Sequence, residues 1–278
     1  MDARVHIGGA PGVTATSKTG LRKQNQDFAL SASFEIRKGV KVNLSVVCDG
    51  MGGLTQGDRA SKVASMTFRD ALSNEVPTFV MKSKGRFGIR SIEQFSNFET
   101  RDASYRRVLS AVENDVFRLR STEAGMSEVG TTLTALVSCT QKNKLKWCDV
   151  VHLGDTRCYR FTAGSTEGTL MTNDHSVAWS AYDSGAVELH EVSTHPENNM
   201  LTQSIGRETR LVPQITELQI ERGDSFVLCC DGVWGSLHDE HGFTIPALED
   251  GPSVDAWLVD EALAKGSKDN CTAMLVRF

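Results

Sequence analysis

The chain has 278 residues, 40% of them apolar, which is enough for a large core. Its formal net charge is -5 and no basic run exceeds a few residues. That excludes the electrostatic footprint of a nucleic-acid-binding protein and argues against an anionic membrane as partner.

Taken in chain order, strand signals dominate. Val42, Leu44 and Val46 alternate with Asn43 and Ser45 before the run closes at Cys48 and Asp49, the period-2 pattern of a half-buried strand. Residues 57–73 have helical spacing, with Ala60, Val63, Ala64, Thr67 and Ala71 on one face. Residues 76–100, with Pro77, Gly85 and Gly88, read as an irregular surface connection to a second helix at 101–120. That helix places Leu109, Val112, Val116 and Leu119 together. Leu133, Ala135 and Val137 alternate again, and 145–153, 226–230 and 273–276 read as further buried strands. Between them, 253–264 is helical, with Val254, Trp257, Leu258 and Ala262 on one side. Strands separated by amphipathic helices without regular βαβ alternation predict an α+β layered sandwich.

The seven cysteines, Cys48, Cys139, Cys148, Cys158, Cys229, Cys230 and Cys271, all lie in or beside these apolar runs. Their odd number and the lack of a CxxC pair give no disulfide framework, so buried reduced thiols are expected. Neither an N-terminal apolar segment nor a run of about 18 apolar residues occurs, and a cytoplasmic location is expected.

Short acidic and glycine-rich blocks punctuate the strands: RKQNQD (22–27), VVCDGMGG (46–53), VGTTLTAL (129–136), HLGDTRCYR (152–160), TNDHS (172–176), FVLCCDGVWGSL (226–237) and KDNCT (268–272). A carboxylate at the mouth of a buried strand, repeated several times, is how a hard cation is held by oxygen ligands. After Asp49, the glycines let the backbone turn so that a main-chain carbonyl faces the same point. A lone DGxGG is a weak signal, since turns produce it freely. Asp231-Gly232 and Asp269-Asn270 at two further strand ends make coincidence a poor account. Length alone suggests about two domains, but Asp27, Asp49 and Asp269 make chemical sense only together, so one domain over 1–278 is expected.

In this order the blocks resemble the metal-dependent protein serine/threonine phosphatases of type 2C, over nearly the whole chain. The resemblance implies a four-layer α/β/β/α sandwich of two packed antiparallel sheets flanked by helices. It implies hydrolysis of phosphoserine and phosphothreonine in proteins by a metal-activated water, without a phosphoenzyme. Two ions, Mn²⁺ or Mg²⁺, would be held by Asp49, the Gly50 carbonyl, Asp231 and Asp269, an all-oxygen set. Arg22 matches the family's phosphate-binding arginine, suited to a dianion by its planar fork. Asp27 would orient metal-bound waters or act as a ligand itself. Asp155 matches an aspartate that holds a third ion in bacterial members; the alternative is a structural Asp bonded to Arg157 or to a turn backbone. Thr131 and Thr132 read as strand positions beside the site, and His175 as a structural cap or bridge. Phosphorylated proteins, with a serine/threonine kinase as counterpart, are the implied partners.

The sequence departs from the pattern at three places. Met51 stands where animal members carry a histidine, Gln26 where a glutamate is common, and Gly235 where some members have a further acidic residue. The first two variants are familiar in bacterial-type members; the third bears on the metal count beyond two. Residues 176–200, with Trp179, Tyr182, Gly185, His195, Pro196 and Asn199, occupy the place of a flap beside the site. The rival from another class is a pseudophosphatase, a module that binds phosphoproteins without turnover. A second is a phosphatase dedicated to one regulatory partner.

Overall fold

The computed structural model describes residues 5–8, 12–52, 56–84, 91–122, 129–207, 210–239, 242–246 and 253–278. In chain order the elements are β1 (Val5–Gly8), β2 (Val13–Lys18), β3 (Asp27–Arg37), β4 (Val40–Met51), α1 (Gly57–Glu75), β5 (Val80–Lys84), β6 (Ser91–Phe95), α2 (Phe98–Thr122), β7 (Gly130–Thr131), β8 (Leu133–Gln141), β9 (Lys144–Leu153), β10 (Arg157–Phe161), β11 (Glu167–Leu170), α3 (Val177–Asp183), β12 (Gln214–Glu217), β13 (Ser225–Cys229), α4 (Asp231–Leu237), β14 (Phe243–Thr244), α5 (Val254–Ala264) and β15 (Cys271–Arg277). Short 3-10 turns add Val76–Phe79 and Leu189–Thr194.

Apart from the β5–β6 hairpin, which stands alone as a two-stranded sheet, the strands form two sheets. One runs β1-β3-β4-β8-β9-β12, with β7 on the end of β4; the other runs β14-β11-β10-β13-β15-β2. Neighbours are antiparallel except β1 on β3. Period-2 alternation decides which side chains go where. On β4, Val42, Leu44, Val46 and Cys48 face outward and are buried under α1 and α2 with Phe68, Leu72, Val112 and Val116. Lys41, Asn43, Ser45, Val47 and Asp49 therefore face the other sheet. There Val47, Leu136 and Val150 meet Phe226, Leu228, Met274 and Val276. Outside the second sheet, Val233 and Trp234 of α4 and Leu258 and Ala262 of α5 cover Val227, Cys229 and Leu275. The layers are helix, sheet, sheet, helix. Each fully buried Leu or Val here contributes about 1.5–3 kcal/mol relative to exposure.

The predicted elements hold with small shifts of boundary, but the buried face of α1 runs through Ala60, Ala64, Phe68 and Leu72, leaving Thr67 half-buried and donating to Asp115 Oδ2 at 3.0 Å. The expectation for 76–100 is corrected. Among the described residues that stretch holds a 3-10 turn and the β5–β6 hairpin, and Phe79 is fully buried between Tyr105 and Trp147. Those two rings supply an apolar slot that no local pattern reveals. Gly85, Gly88 and Gly53 lie outside the described residues. All seven cysteines are buried and unpaired.

Candidate active site

β3 and β4 end side by side, and the register places Asp27 directly opposite Asp49. Directly opposed residues of an antiparallel pair share a face, and like charges there are destabilising unless something intervenes. Across the gap between sheets, α4 begins at Asp231 and β15 is entered from Asp269 and Asn270. Gly232 lets α4 lie on that entry: a Cβ there would sit 2.0 Å from the Asn270 carbonyl. Gly50 is equally constrained, since its Cβ would meet the Gly57 carbonyl at 1.9 Å.

These ends enclose a cavity of about 350 Å³ lined by Arg22, Asp49, Gly50, Asp155, Asp231 and Asp269, with Gln26, Met51, Thr132, Asn199, Leu201 and Asn270 among the rest. Every predicted ligand is there. Asp27 is not on the wall; it lies fully buried behind it, its Oδ2 accepting from Thr272 Oγ1 at 2.6 Å. Thr131 and Thr132 hold the Asp49 backbone, through Thr131 Oγ1 to the Asp49 carbonyl at 2.8 Å and Asp49 N–H to Thr132 Oγ1 at 2.9 Å. Asn270 ties the first block to the last: its Oδ1 accepts from Gln26 N–H at 2.8 Å and its Nδ2 donates to the Thr19 and Gln24 carbonyls.

The carboxyls are strongly perturbed. Burial, then the neighbouring Asp27 and Asp231 charges, lifts Asp49 well above the usual range. Burial and Asp231 do the same to Asp155. Asp27 is pushed up to about 7, chiefly by burial, and Asp231 to about 6 by burial and Asp269. Asp27 Oδ1 and Asp231 Oδ1 are buried without a hydrogen-bond partner. Orphaned, mutually repelling carboxylate oxygens, with no thiol or imidazole among the described lining residues, fit a hard divalent cation. Arg22 is the one cation among the described lining residues, and it is turned onto Asp269, Nη2 to Oδ2 at 2.5 Å. Among the described residues no three carboxylates, thiols or imidazoles are drawn into a closed ligand cage.

The protein phosphatase 2C family profile matches residues 17–258. The chain belongs to the protein phosphatase 2C family. A Streptococcus pyogenes protein assigned to the 2C type is 30% identical over 259 residues, 92% of each chain. The serine/threonine phosphatase of S. agalactiae has a similar structure, with TM-score 0.71 and 25% identity, covering 95% of this chain and 98% of that one. The catalytic domain of the serine/threonine phosphatase PstP, solved with two manganese ions, aligns at TM-score 0.62 and 24% identity over 95% and 96%. This is a protein serine/threonine phosphatase of the bacterial kind.

In the phosphatase, the alternative partner weighed for Asp155 is engaged elsewhere. Arg157 does not bond the Asp155 side chain. It is fully buried and forks onto Asp174, Nε to Oδ1 at 2.9 Å and Nη2 to Oδ2 at 2.7 Å. Asp155 instead has its carbonyl held by Trp234 Nε1 at 2.9 Å, which leaves its carboxyl on the cavity wall. Arg157 lies over the Trp234 ring at 3.5 Å, so α4 and the root of the flap-like segment meet on one guanidinium. His175 is structural, accepting from Gly154 N–H at 3.1 Å. The segment 176–200 is fastened at its root by Val177 N–H to the Met200 carbonyl and Thr202 N–H to the His175 carbonyl.

The sequence reading missed Leu201 on the wall and Arg207, whose Nη2 lies 3.7 Å from Met51 Sδ. It missed Trp234 as well. One string does carry the C-x5-R spacing of cysteine-nucleophile phosphatases, Cys271 to Arg277. It is the extended strand β15, which separates the two ends by about 20 Å, so no nucleophile loop forms. No described helix is long and apolar enough to cross a membrane.

Proposed function

We propose that the phosphatase removes phosphate from phosphoserine and phosphothreonine in proteins, using two divalent ions, Mn²⁺ or Mg²⁺, held by Asp49, the Gly50 carbonyl, Asp231 and Asp269. When bound, such ions polarise the phosphoryl group and furnish a nucleophilic water at neutral pH. Asp49, acted on by both the Asp27 and Asp231 charges, would be the carboxylate shared by the two ions. Asp27, held by Thr272, orients waters from behind the wall. Arg22 swings from Asp269 to take phosphate oxygens in its fork. Asp155, its backbone fixed by Trp234, would hold a third ion. Met51 carries no proton to give, so no side chain at that position protonates the leaving alkoxide. A serine/threonine kinase acting on the same proteins is the implied counterpart, with the whole of 1–278 acting as one catalytic domain.

The orphaned, buried Oδ1 atoms of Asp27 and Asp231 carry this reading, because a module that only binds phosphoproteins has no use for them. The experiment is hydrolysis of p-nitrophenyl phosphate and of a phosphothreonine peptide with and without manganese. Turnover is expected only with the metal. Asp49→Asn and Asp231→Asn should each leave no more than a few per cent of it while melting no lower than the parent, since each removes like-charge repulsion. Either variant turning over normally at saturating manganese would sink the assignment.

A further inference from the structure

The phosphatase has a second, larger cavity, of about 890 Å³, at the opposite end of the sandwich. β4 and β8 reach both places. Asp49 and Thr132 lie at one end of these strands; Lys41, Asn43 and Ser45 on β4, and Ser138 and Thr140 on β8, line the cavity at the other. From Lys41 to Asp49 the strand spans about 27 Å, so the two sites share no residue.

The cavity has two unlike walls. The first sheet presents hydroxyls and an amide, from Asn43, Ser45, Ser138 and Thr140, interspersed with Leu136 and Leu145. The other side is apolar, with Val13 and Val276 of the second sheet and Ile220 and Phe278 next to its strands. A sandwich interior is normally apolar on both sides; here the polar side chains stand where packing residues belong. Ser31 sits directly across from Ser45 on the same face, is fully buried, and its hydroxyl has no partner. A buried polar group left unpaired costs about 1–3 kcal/mol, so the polar character of this end of the sandwich extends behind the cavity wall.

The mouth is cationic. Lys41, Lys144, Arg222 and Arg277 stand around it, and among the described residues none of the four has an ion-pair partner. One lining carboxylate, Glu221, opposes these four cations, so the rim is positive. In a chain of net charge -5 this is a local reversal of sign. It is built by topology: β4 pairs with β8 so that Lys41 lies beside Thr140, and the turn before β4 touches the turn after β8 through Lys142 N–H to the Gly39 carbonyl. No continuous basic run is needed.

We propose that this cavity is a binding site for an amphipathic organic anion, its acidic head at the lysine–arginine rim and its body between the hydroxyl wall and the apolar wall. The volume lies within the roughly 300–1,000 Å³ of small-molecule sites, and the few placed polar groups are what such sites use for orientation. The occupant is a freely dissolved molecule, because the Ser45 and Ser138 hydroxyls it would meet are buried between the sheets.

The test is a fluorescence titration of the full chain with anilinonaphthalene sulfonate, a soluble amphipathic anion. One equivalent is expected to bind, and the analogue without the sulfonate is expected not to. Lys144→Glu combined with Arg222→Glu, both exposed and remote from the catalytic cavity, should weaken binding at least about tenfold with p-nitrophenyl phosphate hydrolysis unchanged. Ser138→Phe, which fills the cavity, should abolish it. Equal binding by the charge-reversed variant would overturn the proposal. So would displacement of the dye by inorganic phosphate with manganese, which would place it in the catalytic cavity. Capture of the protein by anionic vesicles through the same two residues would make this end a membrane contact and overturn the cavity assignment too.

Discussion

Replacing Arg157 with methionine tests the buried pair that the fold places behind the site. Arg157 and Asp174 are 1% and 0% exposed. Burial pushes the Asp174 carboxyl up and Arg157 pulls it back. Removing one partner of a buried pair leaves an uncompensated charge and costs about 3–5 kcal/mol, whereas replacing both with apolar residues is often neutral or better. The guanidinium also stacks on Trp234, a contact worth about 2 kcal/mol when desolvated; methionine keeps part of it as packing. Tyr159 is not orphaned by the change, because its hydroxyl still meets His238 Nδ1 at 3.0 Å. The expectation is therefore a loss of about 3–5 kcal/mol for Arg157→Met and recovery of most of it in Arg157→Met with Asp174→Leu. Urea unfolding followed by circular dichroism measures both. The deficit of the single variant also has a pH signature. With Arg157 gone, burial alone acts on Asp174, and its folded-state pKa moves further above the unfolded value. A group shifted up contributes stability at low pH that is lost as pH rises through the folded pKa. The deficit should then be smaller at about pH 5 than at about pH 8. A single variant within about 1 kcal/mol of the parent, or a double variant no better than the sum of the singles, would refute the reasoning.

Three further outcomes are expected. Arg22→Ala should raise KM for phosphopeptides well above any loss in kcat, as befits ground-state phosphate binding; an unchanged KM removes Arg22 from the substrate site. In protein stripped with chelator, Asp27 and Asp231 titrate near 7 and 6, above the usual carboxylate value of about 3.9. Their protonated forms therefore stabilise the fold at low pH, and that stability disappears as pH rises through 6 to 7. Melting temperature should fall from about pH 5.5 to about pH 7.5 without metal and recover with manganese, and a flat or rising profile would contradict the burial argument. Asp155→Ala should lower kcat with little change in melting temperature, since Trp234 grips the main chain and not the side chain; a depressed melting temperature with normal kcat would make Asp155 structural.

Much of the fold was legible because its signals are local. Val42, Leu44 and Val46 alternate on β4, and Leu109, Val112 and Val116 recur at helical spacing on α2; both patterns bury as read. β3 was harder to read. Its outward face is Phe28, Leu30 and Ala32, while its inward face is Asp27, Ala29, Ser31 and Ser33, small and polar, so the alternation lacks contrast. The 3-10 turn at Val76–Phe79 was lost behind Pro77, because burial of Phe79 depends on Tyr105 and Trp147, whose positions no neighbouring residue encodes.

The site divides in the same way. Asp49, Asp231 and Asp269 announce themselves because each sits next to a glycine or asparagine at the end of an apolar run, and strand ends are where a sheet delivers side chains to one place. The partner of Arg157 was not legible, because closeness in sequence to Asp155 says nothing of where a side chain entering β10 points. Its true partner is 17 residues away, beyond an intervening strand and turn. The cationic rim around Lys41 and Lys144 was invisible for the opposite reason. Each lysine lies in its own hairpin, neither hairpin is a basic run, and only the β4–β8 register brings them together. Net charge averages over such reversals, so a chain at -5 still builds a positive mouth wherever two lysine-bearing turns are made neighbours.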